Sequence, residues 1–290
     1  GHSDLFAYLG GLYHDPAPRP DVGVRAAEAP VRHAVHSADG TPIVVERHGD
    51  GPPIVLVGGA LNDRRTFLPL ARWLAPRLTA VTYDRRGRGD SGNASIYAVE
   101  REIEDMAAVI ADTGGWAYAL GVSSGAVLAA EAAARGLPIR GLVLVEPPFI
   151  LDDTRRPMPK DFGARLEELT ASGRPGDALE LFLVTAVEMP VEVVAPMRTA
   201  PMWRDLEALA PTLPYDMIIM GDYSLPQHWA TAIIAPTLVV DGGESLEWRR
   251  NTAQLVADAL PTGQRLTMDG HPHDVDPEVL GPIVTEFLKL

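Results

Sequence analysis

The segment Gly121-Val122-Ser123-Ser124-Gly125 sets a serine between two glycines, each two residues away, where an apolar β-type run gives way to an alanine-rich helical one. A chain turning that sharply from strand to helix pushes the central side chain into a cleft, and the glycines remove side chains that would collide there. The chemistry open to such a serine is nucleophilic attack. The backbone N–H of Ser124, at the start of the helix, would point where an oxyanion develops. Ser124 is the competing nucleophile, but the glycine spacing favours Ser123.

A hydroxyl is a weak nucleophile and needs a general base, most often histidine. Of the eight histidines, only His271 and His273 follow a late strand-like run, in Met268-Asp269-Gly270-His271-Pro272-His273-Asp274. The same loop would also allow a two-histidine metal site with Asp269 or Asp274, although no third ligand stands at a recognisable spacing. A carboxylate closes another apolar run, Gly141-Leu142-Val143-Leu144-Val145-Glu146, and Pro147 and Pro148 follow it. A charge ending a buried strand is costly without a partner.

The elements that must position these groups follow from periodicity. Val31–Ser37 and Ile43–His48, joined through Asp39-Gly40, read as a hairpin. Ile54–Val57, Ala80–Tyr83, Trp116–Leu120, Leu142–Val145, Thr237–Val240 and Arg265–Met268 read as further strands. Phe67–Ala75, Glu100–Thr113, Ser124–Arg135, Asn251–Leu260 and Pro277–Leu290 read as helices between and after them. Alternation of this kind predicts a mostly parallel, eight-stranded sheet with helices on both faces and antiparallel strands at one edge. Between Phe149 and Ile234 the pattern is helical or irregular, which predicts an inserted helical lid over the carboxyl ends of the strands. The expected organisation is an N-terminal arm over 1–30, a core over 31–148 and 235–290, and the lid over 149–234.

Composition narrows the classes. Twenty-five Lys and Arg against 39 Asp and Glu leave a formal net charge of −14, which repels phosphate backbones and anionic membranes, so neither nucleic acid nor a membrane is expected as partner. The absence of cysteine excludes disulfides, thiolate metal sites and cysteine nucleophiles. Leu5-Phe6-Ala7-Tyr8-Leu9 is too short for a signal-peptide core and lacks a basic segment before it, so the expected location is cytoplasmic.

With the serine turn in its strand–helix context, the chain resembles the α/β-hydrolase-fold superfamily over nearly everything beyond the arm. Val55-Leu56-Val57-Gly58-Gly59-Ala60 resembles the family's oxyanion segment after the third strand, although the family often has histidine where Gly58 stands. The match implies that the Ala60 N–H is the second oxyanion donor, beside Ser124. Tyr83-Asp84-Arg85-Arg86-Gly87-Arg88-Gly89-Asp90-Ser91-Gly92 resembles the loop after the fourth strand, which we read as a glycine-shaped turn carrying solvated arginines. The family commonly places its base three residues beyond a glycine, which selects His273. Its usual acid position, past the strand Thr237–Val240, holds Ser245, with Asp241 and Glu244 out of step. Some dehalogenases and a fungal lactonase of this fold carry the acid after the sixth strand instead, which selects Glu146.

A serine nucleophile excludes the aspartate-based haloalkane dehalogenase and epoxide hydrolase chemistries of the fold. The resemblance therefore implies a serine esterase or lactonase that works through an acyl-enzyme and requires no metal or organic cofactor. Met189, Met197, Met202, Trp203, Met217 and Met220 concentrate in the expected lid, where they either offer adaptable apolar walls to a substrate or pack the lid helices together; Met202 and Trp203 are the expected substrate-lining pair. The expected partner is an ester or lactone with considerable apolar surface. The same residues also serve lyases and C–C hydrolases of this fold, and a ligand-binding role without catalysis is the reading of a different class.

Overall fold

The structure, a computed structural model, describes residues 30–273 and 275–290, so the expected arm lies outside the described residues except for Pro30. The elements run β1 (Val31–His36), β2 (Pro42–His48), β3 (Pro53–Val57), α1 (Leu68–Leu74), β4 (Thr79–Tyr83), α2 (Val99–Asp112), β5 (Ala117–Val122), α3 (Ser124–Ala134) and β6 (Ile139–Val145). Six helices follow: α4 (Phe162–Ala171), α5 (Pro175–Thr185), α6 (Val191–Met197), α7 (Pro201–Leu209), α8 (Leu213–Met220) and α9 (Trp229–Ala232). The chain then returns to β7 (Thr237–Gly242), α10 (Glu247–Ala259), β8 (Gly263–Met268) and α11 (Pro277–Phe287).

The eight strands form one sheet in the order β1-β2-β4-β3-β5-β6-β7-β8. The β1–β2 and β2–β4 pairs are antiparallel and every other pair is parallel. Successive side chains of a strand face opposite ways, and here both faces are covered. Ile54, Leu56, Leu120, Val122, Val143 and Val145 pack on one side with Leu70 and Leu74 of α1 and Leu280 and Val284 of α11. Val55, Val57, Val81, Leu144 and Val239 pack on the other with residues of α2, α3 and α10, including Met106, Ala129 and Val256. This is the sheet that the alternating runs predict. Strand β5 continues past the expected Leu120 to Val122, because Gly121 pairs with Val57 and Val122 with Val145. Helix α10 starts at Glu247, earlier than expected, because Trp248 and Arg249 are buried in a first turn whose charges mask the pattern.

Among the described residues the segment between β6 and β7 is helical and contains no strand. Phe162, Leu166, Leu179, Phe182, Val194, Trp203 and Leu206 give it a hydrophobic core of its own, which Ala60 and Leu61 from the loop after β3 join.

The loop after β4 corrects the sequence reading. Arg85, Arg86 and Arg88 are not solvated: their relative exposures are 1%, 0% and 1%. The Arg86 guanidinium donates to both carboxylate oxygens of Asp105 on α2, at 2.8 and 2.7 Å, and to Asp39 in the β1–β2 turn at 3.0 Å. Local sequence cannot show partners brought from other elements, so the arginines read as surface charges. Burial pushes the Asp105 carboxyl up from its ordinary value against the pull of Arg86, so removing the guanidinium strands a costly charge. Arg86→Met is expected to lower unfolding stability by roughly 3–5 kcal/mol, read as a fall in the urea midpoint without a change in slope.

Candidate active site

Four loops at the carboxyl ends of β3, β5, β6 and β8 carry Ala60, Ser123, Glu146 and His273. Open α/β sheets bind ligands at this edge, where successive strands diverge to either side. Ser123 adopts φ 56° and ψ −127° at the start of α3, a left-handed conformation that serine rarely takes. Its own N–H donates to the Val145 carbonyl at 2.9 Å, which pins the turn to β6. The turn has no room for side chains around it: a Cβ on Gly125 would stand 2.3 Å from the Val57 carbonyl oxygen, and one on Gly121 2.4 Å from that of Gly125. As the first residue of α3, Ser124 has no carbonyl four residues back within the helix to receive its N–H.

The two serines are distinguished by their surroundings. Ser124 is buried and its hydroxyl donates to Asp216 on α8 at 2.8 Å, which leaves Ser123 as the serine displayed by the turn.

Glu146 is 1% exposed and also lies at positive φ, 44°. Its Oε2 stands 2.5 Å from Nδ1 of His273 and 3.5 Å from Nη1 of Arg249, and its Oε1 accepts the Gly242 N–H at 2.9 Å. Burial opposes ionisation, but the His273 ring, the Arg249 guanidinium and the Gly242 N–H outweigh it and hold the Glu146 pKa down at about 2, against an ordinary 4.5. The other acids lie elsewhere. Asp241 faces Arg265, at 2.7 and 2.8 Å, and Thr267, while Glu244 is exposed to solvent. Ser245 is buried close by but carries no charge.

His271, the rival base, contributes its backbone to the β7–β8 junction: its carbonyl accepts the Glu244 N–H at 2.9 Å. No group of three or more His, Asp or Glu side chains is arranged for a metal ion among the described residues, and Asp274 lies outside them. Trp203, expected to line the substrate site, is 4% exposed within the insertion's own core and has the Arg198 guanidinium over its ring at 5.6 Å. Met202 is half-buried against the same cluster.

A family model described as the alpha/beta hydrolase family matches residues 54–280. The chain belongs to this family. The chain is similar to the crystal structure of an alpha/beta hydrolase from Sphaerobacter thermophilus, with 51% identity and a TM-score of 0.85, over 88% of this chain and 100% of that one. It also matches an uncharacterized hydrolase, YraK, of Bacillus subtilis with 41% identity over 93 residues, which are 31% of this chain and 34% of that protein. The match thus spans about a third of the length of that curated relative. An enol-lactonase from Burkholderia xenovorans shares the fold at 22% identity and a TM-score of 0.67, over 90% of this chain and 100% of that one.

The residues around this candidate site that sequence reading missed are Arg85, Arg88, Arg249 and Asp216. Asp216 left a signal: it is the one charge in the apolar helix Leu213-Pro214-Tyr215-Asp216-Met217-Ile218-Ile219-Met220, and a charge buried on such a helix requires partners.

Because the folded-state pKa of Glu146 is depressed, the unfolded chain takes up the proton first as the pH falls. Its contribution of about 3 kcal/mol is complete above about pH 4.5 and lost by about pH 2. Urea unfolding at pH 6 and pH 3 is expected to show the wild type losing more stability than Glu146→Gln over that interval; parallel losses would mean that the carboxylate is not held down.

Proposed function

We propose that the protein is a serine hydrolase that cleaves an uncharged ester or lactone of an apolar small molecule through an acyl-enzyme. The observation that carries the reading is the His273 imidazole set 2.5 Å from a fully buried, ionised Glu146, on the same strand edge that displays Ser123 in a strained turn. The imidazole has Nδ1 on the carboxylate, which leaves Nε2 as the base.

In this mechanism Ser123 Oγ attacks the carbonyl carbon while Nε2 of His273 takes the hydroxyl proton. The carbonyl electron pair moves onto oxygen, where the N–H groups of Ala60 and Ser124 receive it. The C–O bond to the leaving group then breaks, and that oxygen takes the proton from His273. Water attacks the acyl-enzyme by the same two steps and releases the acid. Glu146 holds the ring in the required tautomer and stabilises the imidazolium that forms twice per turnover. In a lactone the leaving oxygen stays tethered to the acyl group. The apolar cluster of the insertion that includes Ala60 and Leu61 supports an apolar substrate, and the helical insertion is proposed to act as a lid that excludes water.

The test is labelling by a fluorophosphonate probe together with turnover of a panel of p-nitrophenyl esters and lactones. Ser123→Ala is expected to abolish labelling and lower kcat by at least about 10⁴-fold with the fold intact. Glu146→Gln is expected to lower kcat by about 10²–10⁴-fold, because an amide facing Nδ1 favours the wrong tautomer, while Glu244→Gln stays within about threefold of wild type. Labelling that survives in Ser123→Ala would refute the reading.

A further inference from the structure

The two oxyanion donors of the proposed mechanism are tied to a single carboxylate that the insertion delivers. Asp216 on α8 is 0% exposed. Its Oδ1 accepts from the Ser124 hydroxyl and from Arg85 Nη1, both at 2.8 Å, and its Oδ2 accepts from Arg88 Nη2 at 2.7 Å. The arginines reach onward. Arg85 Nη1 donates to the Gly58 carbonyl at 3.1 Å, while Arg88 Nη1 donates to the Gly59 carbonyl and, at 3.3 Å, to that of Asn62.

A trans peptide points its C=O and the following N–H in opposite directions. Arg88, by holding the Gly59 carbonyl, therefore turns the Ala60 N–H away from the arginines. The Gly59 backbone is pressed against the serine turn, since a Cβ there would lie 2.7 Å from the Val122 oxygen and 3.0 Å from the Ser123 Cβ. The other donor, the Ser124 N–H, belongs to the residue whose hydroxyl Asp216 accepts.

The charges also depend on Asp216. Arg85 has a second carboxylate, Glu102, paired at 2.7 and 2.6 Å, but the ion pair formed by Arg88 is with Asp216. Burial opposes ionisation of Asp216, and Arg88 and Arg85 outweigh it, holding the carboxyl below its ordinary value. Helix α8 is seated by a second contact, Tyr215 stacked on Tyr97 at 4.0 Å.

We propose that Asp216 is a positioning residue through which the docked insertion sets the oxyanion hole, holding Ala60 by way of Arg88 and Ser124 directly. The proposal rests on the acyl-transfer reading of Ser123. Catalysis is then complete only while α8 is seated, so substrate hydrolysis is coupled to the insertion and not merely covered by it.

Asp216→Asn keeps the shape but turns an N–H₂ toward donors and removes the charge facing Arg88. With p-nitrophenyl butyrate, kcat is expected to fall by about 10²-fold or more and KM to change little. Affinity for an alkyl trifluoromethyl ketone should fall in parallel with kcat/KM. That inhibitor takes the Ser123 oxygen onto its carbonyl carbon, sends the proton to His273 and places its oxyanion on the two N–H groups. A fluorophosphonate should still label the variant to completion, more slowly, which shows a folded site. Ser124→Ala, which leaves the ion pairs in place, keeps the variant set informative if Asp216→Asn fails to fold; it is expected to lower kcat by about tenfold with KM unchanged. Wild-type kcat and ketone affinity in Asp216→Asn, or in Ser124→Ala when only that variant folds, would overturn the proposal. A loss confined to KM would also overturn it. Wild-type protein that is neither labelled nor active would instead overturn the acyl-transfer reading.

Discussion

Three guanidinium groups taken out of water on one short loop constrain the rest of this molecule. Arg85, Arg86 and Arg88 lie within four residues and none is more than 1% exposed. Burying such charges is unfavourable unless carboxylates accompany them. Helix α2 supplies Glu102 and Asp105, the edge hairpin supplies Asp39, and the insertion supplies Asp216. The loop is therefore a junction at which one face of the sheet, the antiparallel edge and the insertion meet. Carbonyl groups of the loop after β3 accept further hydrogen bonds from Arg85 and Arg88, so the charge pairing that seats the insertion also shapes the backbone beside Ser123.

Three of the six described non-glycine residues at positive φ lie at the same edge. Leu61, Ser123 and Glu146 follow β3, β5 and β6 respectively and adopt φ values of 60°, 56° and 44°. Conformations of this kind cost of order 1–3 kcal/mol each and persist only where the surroundings over-determine them. The surroundings here are stiff: the strands that lead into these residues are buried on both faces, and Ser123 and Glu146 are each tied by their own N–H to the neighbouring strand, at 2.9 Å to Val145 and Val240. The strain sets the directions in which a hydroxyl and a carboxylate leave the sheet, and it is borne by a scaffold that does not need those residues to be relaxed.

What the sequence by itself determined is the part written in short-range pattern. Alternating apolar runs specified a two-sided sheet, and glycines two residues either side of Ser123 specified a turn too tight for side chains. A carboxylate at the end of the run Leu142–Val145 announced that Glu146 would need a partner. The preference for Glu146 over Asp241 and Glu244 came from the family resemblance, since Asp241 also ends an apolar run and local pattern does not separate the two. Tertiary structure alone decided the partners. Arg249 reaches Glu146 from 103 residues beyond it, and Ser124 meets Asp216 across 92 residues of chain. No periodicity records such distances, and an arginine in a glycine-rich loop has the same local signature whether it faces water or a buried carboxylate. Desolvation depends on what packs around a group in three dimensions, so the burial of Arg85, Arg86 and Arg88, and with it the link between the insertion and Ser123, became visible only when the chain was folded.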